Sequence, residues 1–388
     1  MQGKEEWMEL AEIRKEIDDI DEEMIRLFVR RMAAADKVAD AKRGSGRAVL
    51  DPAREREVLA KAAKAAGPEL ADEAKLLFST LMSLSRGRQR ARLSEGSAFA
   101  RELAETLAAA PGRIPAGASV ACPGAEGGYS QQAACAMAQM PSLFYFRDFE
   151  AVFAAVEQGM CAYGVLPIEN STAGSVTQVY DLMDCHEFKI VKALKLRIRH
   201  VLLAAKGVKI GDVKEIASHP HALAQCAGYL RAHGGIRAVP AANTAAAAEE
   251  LAKSGRRDAA VIASRECAEL YGLEVLADDI SDEASNYTRF ICIARKGEAQ
   301  ADANKITLMM SIGHRPGALA DVLARFAAAD VNLTKLESRP VPGSDFEFRF
   351  VFDFEASLRD ERVARLLTGL ADDPAIERFA FLGAYGER

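Results

Sequence analysis

The 388-residue sequence lacks the features that would assign it to a membrane, a secretory route or a nucleic acid. It has no apolar run near the roughly 20 residues that cross a bilayer. Its acidic N-terminus carries no basic segment followed by an apolar one, as a secretory signal would. The net charge is −6, so no overall positive field is available to hold a polyanion. Its seven cysteines form no C-x-x-C pair, which predicts reduced thiols in a cytoplasmic protein and neither a disulfide scaffold nor a zinc site.

The chain contains 49% hydrophobic and 27% charged residues, a balance typical of globular proteins. Its length predicts two or three domains, and the residue pattern changes character along it. We expect an all-helical domain over residues 1–93 and a linker over 94–117. An α/β domain of two lobes is expected over 118–300, and a smaller α+β domain over 304–388.

The first region predicts three helices, the first of which is unusually long. Apolar residues recur at spacings of three and four from Leu10 to Ala41, a heptad seam typical of paired helices. Residues 44–46 predict its end, and Asp51-Pro52 predicts the capped start of the second helix. A helix of roughly 50 Å is longer than one domain usually covers. We therefore expect a second copy of the chain to pack against it.

Cationic residues lie on or near this apolar seam. Arg31 occupies a seam position, where a buried guanidinium costs several kcal/mol unless an anion meets it. Lys42 lies close to the same face, whereas Arg14 is rotated by about 100° and reaches the same ligand only from an antiparallel partner helix. The second and third helices add five polar residues: Asp51, Arg54, Glu55, Ser85 and Gln89. A cation-rich pocket without a nucleophile suits a dianionic ligand and electrostatic catalysis.

This spaced set of residues resembles the all-helical, intertwined-dimer chorismate mutases. The resemblance implies that Arg14, Arg31 and Arg54 bind the two carboxylates of chorismate, with Arg14 reaching across the dimer. Lys42 and Gln89 would hydrogen-bond the ether oxygen that gains negative charge as its bond breaks.

The same resemblance assigns the remaining polar residues to the substrate ring. Glu55 would bind the ring hydroxyl, assisted by Asp51 and Ser85. The implied reaction is a unimolecular Claisen rearrangement of chorismate to prephenate. It requires a held reactive conformer and stabilised charge, and no cofactor or metal.

In the α/β region, polar residues follow the ends of several apolar strands. The most distinctive segments are 167–171 (Pro-Ile-Glu-Asn-Ser), 218–220 (Ser-His-Pro) and 288–290 (Thr-Arg-Phe). Alternating strands and helices place a ligand at the strand ends or between the lobes. His219 and His221 have no third ligand nearby, so we interpret them as loop residues and not as a metal site.

These segments resemble prephenate dehydratase across residues 118–300, a fold of two lobes similar to periplasmic binding proteins. The resemblance implies that Thr288 is the hydroxyl donor that assists departure of the ring hydroxyl. Loss of carbon dioxide and water then gives phenylpyruvate. The residues implied to position the substrate or to lie near it are Glu169, Asn170, Ser171, Ser218, Gln225 and Arg289. The sequence leaves open whether prephenate or its aminated form, arogenate, is preferred.

The last region predicts the order βαββαβ, the ferredoxin-like plan. Two of its segments resemble the ACT regulatory domain, in which they bind phenylalanine at a subunit interface. The implied effector-binding residues are Gly317, Ala318, Leu319, Glu337, Ser338, Arg339 and Pro340.

The three regions, in this order, resemble the bifunctional P-protein family of phenylalanine biosynthesis. The resemblance implies at least a homodimer, L-phenylalanine as inhibitor, and no membrane or nucleic-acid partner. Two alternatives stay open. In one, the helical region is only a dimerisation arm of a prephenate or arogenate dehydratase. In the other, the chain is a non-catalytic sensor of small molecules.

Overall fold

The computed structural model describes residues 2–43, 49–93, 97–108, 114–283, 285–298, 303–341 and 347–387. These residues form a helical region, a two-lobed α/β region and an α+β region, which confirms the predicted fold class. Within the described ranges, every helix is too short or too polar to span a membrane.

The N-terminal region consists of α1 (Gln2–Lys42), α2 (Pro52–Ala66) and α3 (Ala71–Leu93). The Asp51 side chain caps α2 by accepting the backbone N–H of Arg54 at 3.0 Å, as the sequence predicts. α3 packs against both α1 and α2. The predicted break at residues 44–46 lies outside the described residues.

The α/β region follows α4 (Ala98–Ala108). Its elements are β1 (Ser119–Pro123), α5 (Tyr129–Met137), β2 (Ser142–Phe146), α6 (Phe149–Glu157), β3 (Tyr163–Asn170), β4 (Gly174–Ser175), α7 (Thr177–Cys185), β5 (Lys189–Arg197), β6 (Val201–Ala204), β7 (Glu215–Ser218), α8 (Pro220–Gln225), α9 (Ala227–Ala232), β8 (Arg237–Pro240), α10 (Thr244–Ser254), β9 (Ala259–Ala263), α11 (Glu266–Tyr271), β10 (Glu274–Ala277) and β11 (Tyr287–Ala294). The predicted helix over 222–232 is two short helices, α8 and α9.

Two sheets define the two lobes. The first lobe has the order β5-β11-β3-β1-β2, and the second has β10-β6-β9-β7-β8. The chain crosses between the lobes after β5 and returns before β11. These two crossovers are hydrogen-bonded to each other, since Ile198 N donates to Asn286 O at 2.8 Å and Ile280 N to His200 O at 3.0 Å. They form the hinge of the two-lobed region.

The C-terminal region has the predicted βαββαβ order. Its elements are β12 (Lys305–Ile312), α12 (Ala318–Ala328), β13 (Asn332–Pro340), β14 (Phe348–Glu355), α13 (Glu361–Ala371) and β15 (Ile376–Glu387). β15 continues beyond the strand end predicted at 381. Its last residues, Gly386 and Glu387, pair in parallel with Lys192 and Ala193 of β5, so that the sheets of the two regions are continuous.

Glycine is required where β15 approaches β5. Gly383 has φ +149°, and a Cβ atom there would overlap the carbonyl oxygen of Ile190. Part of the predicted linker is helical: α4 inserts Phe99 and Leu103 into the core of the C-terminal region. The Phe99 ring meets that of Phe379 edge to face at 5.0 Å between centroids. The C-terminal region is thus held to the rest of the chain by α4 as well as by the pairing of β15 with β5.

Candidate active sites

A cavity of about 590 Å³ lies between the two lobes. Three of the predicted site residues line it: Asn170, Gln225 and Thr288. Asn170 and Thr288 come from the first lobe, where they are directly paired across β3 and β11. Gln225 comes from the end of α8 in the second lobe. The cavity therefore brings together residues that are more than a hundred positions apart in the chain.

Asn170 organises the floor of this cavity. Its Nδ2 donates to Thr288 Oγ1 at 3.0 Å and to Asn286 Oδ1 at 2.8 Å. Its Oδ1 accepts from Thr172 Oγ1 at 2.7 Å and from Gln225 Nε2 at 3.4 Å. Because Thr288 Oγ1 accepts from Asn170, the hydroxyl proton of Thr288 is free to point toward a ligand.

The positive character of the cavity comes from backbone groups. Its described lining contains no Asp, Glu, Lys or Arg side chain. The first residues of three helices, Tyr129 of α5, Thr177 of α7 and Thr244 of α10, all lie along it. Unpaired N–H groups and the helix dipole make such termini favourable for anions. The cavity can therefore hold carboxylates without a cationic side chain.

Two predicted site residues have structural partners beside the cavity. Ser218 is completely buried, and its hydroxyl donates to Ile262 O at 2.6 Å. Ser171 Oγ accepts from Tyr287 N at 2.9 Å and donates to Ser285 O at 3.1 Å. Ser171 thus holds the hinge segment that leads into Thr288.

Glu169 and Arg289 lie at the junction with the C-terminal region. Arg289 contacts Asp353 and Glu387, each at 2.5 Å, and Glu169 at 3.8 Å. Burial alone would lower the pKa of Arg289, but Tyr385 and the carboxylates raise it. The residue that follows Thr288 is therefore a buried cation shared with the C-terminal sheet.

Sequence reasoning missed several residues of the cavity. Tyr129, His200, Thr172 and Asn243 line it or hydrogen-bond its predicted members. Isolated polar residues of this kind carry no spacing signal, since only the folded hinge brings them near Gln225. Within the described residues, no group of three or more His, Cys, Asp or Glu side chains is placed to hold a metal ion.

In the helical region, part of the predicted set converges within one chain. Arg31 Nη1 donates to Ser85 Oγ at 2.5 Å and to Leu81 O at 2.8 Å. Burial lowers the pKa of Arg31. Gln89, one turn after Ser85, is buried, and its Oε1 has no hydrogen-bond partner among the described residues. A buried amide end without a partner is available to a ligand.

The other predicted residues of the helical region do not converge with these. Arg14 is exposed. Lys42 Nζ donates to Val49 O at 2.9 Å, and Arg54 pairs with Glu57 at 2.6 Å on the surface. Asp51 caps α2, and Glu55 forms an ion pair with Arg86. One chain alone thus presents an incomplete cluster.

The apolar seam of α1 is uncovered in the single chain. Ile17 is 51% exposed, Ile20 50% and Leu27 59%. Exposed apolar stripes of this length are typical of helices that pair with a partner helix.

The two predicted effector segments lie apart in one chain. Ala318 and Leu319 line a cavity of about 180 Å³ whose described lining contains none of residues 337–340. Gly317 precedes them at φ +79°, and Ser338 and Pro340 are exposed.

The second effector segment instead contacts the dehydratase-like region. Glu337 accepts from Ser175 Oγ at 2.5 Å, and Arg339 pairs with Asp181 at 2.7 Å and donates to Thr177 O at 3.1 Å. Burial would raise the pKa of Glu337, but the contacts with Ser175 and Lys335 lower it. Because Ser175 and Thr177 line the large cavity, this segment touches its wall directly.

Comparisons with known proteins agree with this three-part organisation. Family models match chorismate mutase type II over residues 13–90, prephenate dehydratase over 120–298 and the ACT domain over 306–372. The solved structure of a prephenate dehydratase in complex with L-Phe from Arthrobacter aurescens is 32% identical. The match covers 69% of this chain and 90% of the Arthrobacter aurescens chain, with a TM-score of 0.62.

Two curated relatives extend the likeness. Arogenate dehydratase/prephenate dehydratase 2 of Arabidopsis thaliana is 38% identical over 69% of this chain and 72% of its own length. The bifunctional chorismate mutase/prephenate dehydratase of Escherichia coli (strain K12) is 30% identical over 94% of this chain and 93% of its own length. With both catalytic regions and the ACT domain matched in the same order, the chain belongs to the family of bifunctional chorismate mutase/prephenate dehydratases.

Proposed function

We propose that this chain converts chorismate to prephenate in its helical region and prephenate to phenylpyruvate in the cavity between its lobes, under inhibition by L-phenylalanine at the ACT domain. The observation that carries the proposal is the meeting of Asn170, Gln225 and Thr288 around one cavity. We assign the mutase to residues 1–93, the dehydratase to 118–300 and the effector domain to 304–388. Its seven free cysteines suit a reducing compartment, so we assign the enzyme to the cytoplasm.

In the dehydratase step, carbon dioxide leaves the ring with its bonding electrons remaining to form the aromatic system. The ring hydroxyl departs from the opposite carbon and takes up a proton from solvent to become water. Thr288 donates its free O–H to the departing oxygen, while Asn170 holds Thr288 Oγ1 in place. Since aromatisation drives the reaction, a well-oriented hydrogen bond suffices without a strong acid.

The cavity fits prephenate better than arogenate. Prephenate carries two carboxylates and a keto group, all of which accept hydrogen bonds. The three helix N-termini and the Thr288 hydroxyl are donors to such a ligand. The ammonium group of arogenate needs a carboxylate, and the described lining offers none.

The mutase step requires a second copy of the chain. Arg31, Ser85 and Gln89 come from one chain, and we assign Lys42 to the same pocket as a donor to the ether oxygen. Arg14 of one copy completes this pocket in the other when two α1 helices pair antiparallel along their exposed seam. Arg54, Asp51 and Glu55 of α2 then close over the substrate.

We assign the phenylalanine site to the two effector segments, joined across a subunit interface. The start of α12 contributes N–H groups for the amino acid carboxylate. Glu337 contributes a carboxylate for its ammonium group. Because Glu337 also accepts a hydrogen bond from Ser175 in the cavity wall, the effector competes with Ser175 for this carboxylate.

The test is to supply chorismate to the purified chain and record prephenate formation and the ultraviolet absorbance of phenylpyruvate, with and without L-phenylalanine. We expect both products, and less phenylpyruvate when phenylalanine is present. Phenylpyruvate from prephenate but no turnover of chorismate would reduce the helical region to a dimerisation arm. Neither product would leave only a sensor of small molecules.

A further inference from the structure

His200 lies on the hinge between the lobes, where the chain first crosses from β5 to β6. Its side chain reaches the wall of the large cavity, and only 2% of the residue is exposed. Its ring Nε2 lies 2.9 Å from Gln225 Oε1, and its Nδ1 lies 3.2 Å from the Tyr129 hydroxyl. Nothing in the proposed reaction uses this buried imidazole.

The orientation of the Gln225 amide determines the hydrogen bonds of His200. Thr172 gives its hydroxyl proton to Asn170, so its oxygen must accept at 3.0 Å from Gln225 Nε2. The other end of the amide, Oε1, therefore faces His200 and requires a donor. Burial lowers the pKa of His200 against the opposing effect of the Gln225 contact. Facing Oε1, the ring donates from Nε2, while on its other side the Tyr129 hydroxyl, which donates to Arg199 O at 2.6 Å, lies 3.2 Å from Nδ1.

Gln225 needs this support because it belongs to the lobe opposite Asn170 and Thr288. It sits at the last residue of a six-residue helix, α8, so its side chain is not fixed by a long rigid element. His200 is on the hinge itself, whose two crossover segments are hydrogen-bonded to each other. A hydrogen bond from the hinge to Gln225 thus sets where the second lobe meets the first.

We propose that His200 is a positioning residue of the dehydratase, which holds Gln225 across the cleft so that Asn170 presents the Thr288 hydroxyl to the leaving group. This inference rests on the proposed dehydratase function. His200 would act through a chain of hydrogen bonds. His200 donates to Gln225, Gln225 donates to Asn170 and Thr172, and Asn170 donates to Thr288. No proton is transferred along this chain, and its role is geometric.

The test uses two amide substitutions in the full-length enzyme. In His200→Gln, the new Nε2 lies as many bonds from Cα as the imidazole Nε2, so the donor to Gln225 is retained. In His200→Asn, the amide matches the position of Nδ1, and the donor to Gln225 is lost. We expect His200→Asn to lower the dehydratase kcat by about 10- to 100-fold, the usual cost of misplacing a catalytic group by about 1 Å. KM for prephenate should change less than about 3-fold, and His200→Gln should keep kcat within about 3-fold of the parent enzyme.

A double-mutant cycle tests whether His200 acts through Gln225. Once Gln225→Leu has removed the amide, adding His200→Asn should cost no further activity. Full additivity, equal losses in His200→Gln and His200→Asn, or unchanged kcat in His200→Asn would each overturn the proposal. Chorismate turnover by the same preparations reports folding of the chain. If the parent enzyme forms no phenylpyruvate from prephenate, the proposed function itself has failed, a result distinct from all of these.

Discussion

In the helical region, the seam of α1 lies exposed and its cationic residues are dispersed, whereas in the cleft the key polar groups already hydrogen-bond one another within one chain. The difference lies in the layers available to each region. The cleft has two lobes with their own cores, and these define a cavity between them. The three helices have no second layer, so most of α1 has nothing to cover it. A region without a core of its own needs a partner to complete its site.

The largest expected effect concerns the cleft, whose key groups all come from one chain. Thr288→Ala removes the O–H that meets the departing oxygen, and we expect the dehydratase kcat to fall by about 1,000-fold. Thr288→Ser keeps the hydroxyl and should retain activity within about 10-fold. Phenylpyruvate absorbance measures both variants, and chorismate turnover should be unchanged. Full dehydratase activity in Thr288→Ala would remove Thr288 from the reaction.

Subunit complementation distinguishes the two sites directly. Arg14→Ala and Arg31→Ala should each reduce mutase turnover at least about 100-fold, because each removes a charge that stabilises the transition state. A heterodimer with one variant in each chain, purified through two different tags, should recover about half of the parent activity, since one of its two pockets is intact.

The matched control pairs two dehydratase variants in the same way. Thr288→Ala and Gln225→Ala affect a cleft that belongs to one chain, so their heterodimer should show no recovery. Recovered dehydratase activity in this heterodimer, or no recovered mutase activity in the other, would contradict the assignment of a shared mutase pocket and a single-chain cleft.

A smaller effect concerns the junction between the dehydratase and ACT regions. Burial alone would raise the pKa of Glu387, but Arg289 and Lys305 lower it to about 2. In the unfolded chain this carboxyl has a pKa near 4.3, so its contribution to stability is present above that pH and is lost as the pH falls toward 2. The contribution is at most about 3 kcal/mol. Urea unfolding at pH 6 and at pH 3 should show a smaller loss in Glu387→Gln than in the parent enzyme.

The smallest effect concerns regulation. Glu337→Gln removes the charge that faces Ser175 and that the proposed site offers to the effector ammonium group. We expect the concentration of L-phenylalanine needed for half inhibition to rise by about 5- to 10-fold, within the usual range of allosteric coupling. Glu355 is an exposed carboxylate at the end of β14 and belongs to neither effector segment, so Glu355→Gln serves as a matched loss of negative charge that should leave the phenylalanine response unchanged. An unchanged phenylalanine response in Glu337→Gln would remove Glu337 from the effector site.

Periodicity and capping predicted the helices and the βαββαβ order, because local patterns determine these elements. The Asp51 cap and the apolar seam of α1 are read from neighbouring residues alone. The alternating pattern predicts an α/β region without defining each strand, since β6, β8 and β10 have four residues each and carry little periodic signal. The end of β15 was missed because its partner, β5, lies almost 200 residues earlier in the chain.

The site was predicted unevenly for the same reason. Asn170 and Thr288 lie within distinctive segments and Gln225 lies shortly after one. The structure places all three at one cavity. His200 has no motif, and its importance arises only where two crossovers meet. Arg289 adjoins Thr288 in sequence, yet its side chain points to the opposite side of the strand, toward Asp353. Alternation along a strand separates neighbours in the chain to different faces.

The pairing of β15 with β5 determines how the effector domain can move. A domain on a flexible linker can rotate freely, but here the last residues of β15 pair with β5 in the lobe that carries Thr288. Rotation of the effector domain as a separate body would break this pairing, so a displacement of β15 acts directly on β5, which pairs through Leu196 with Thr288 of β11. Deleting only the final few residues would remove this strand pairing together with Glu387, the partner of Arg289 beside Thr288.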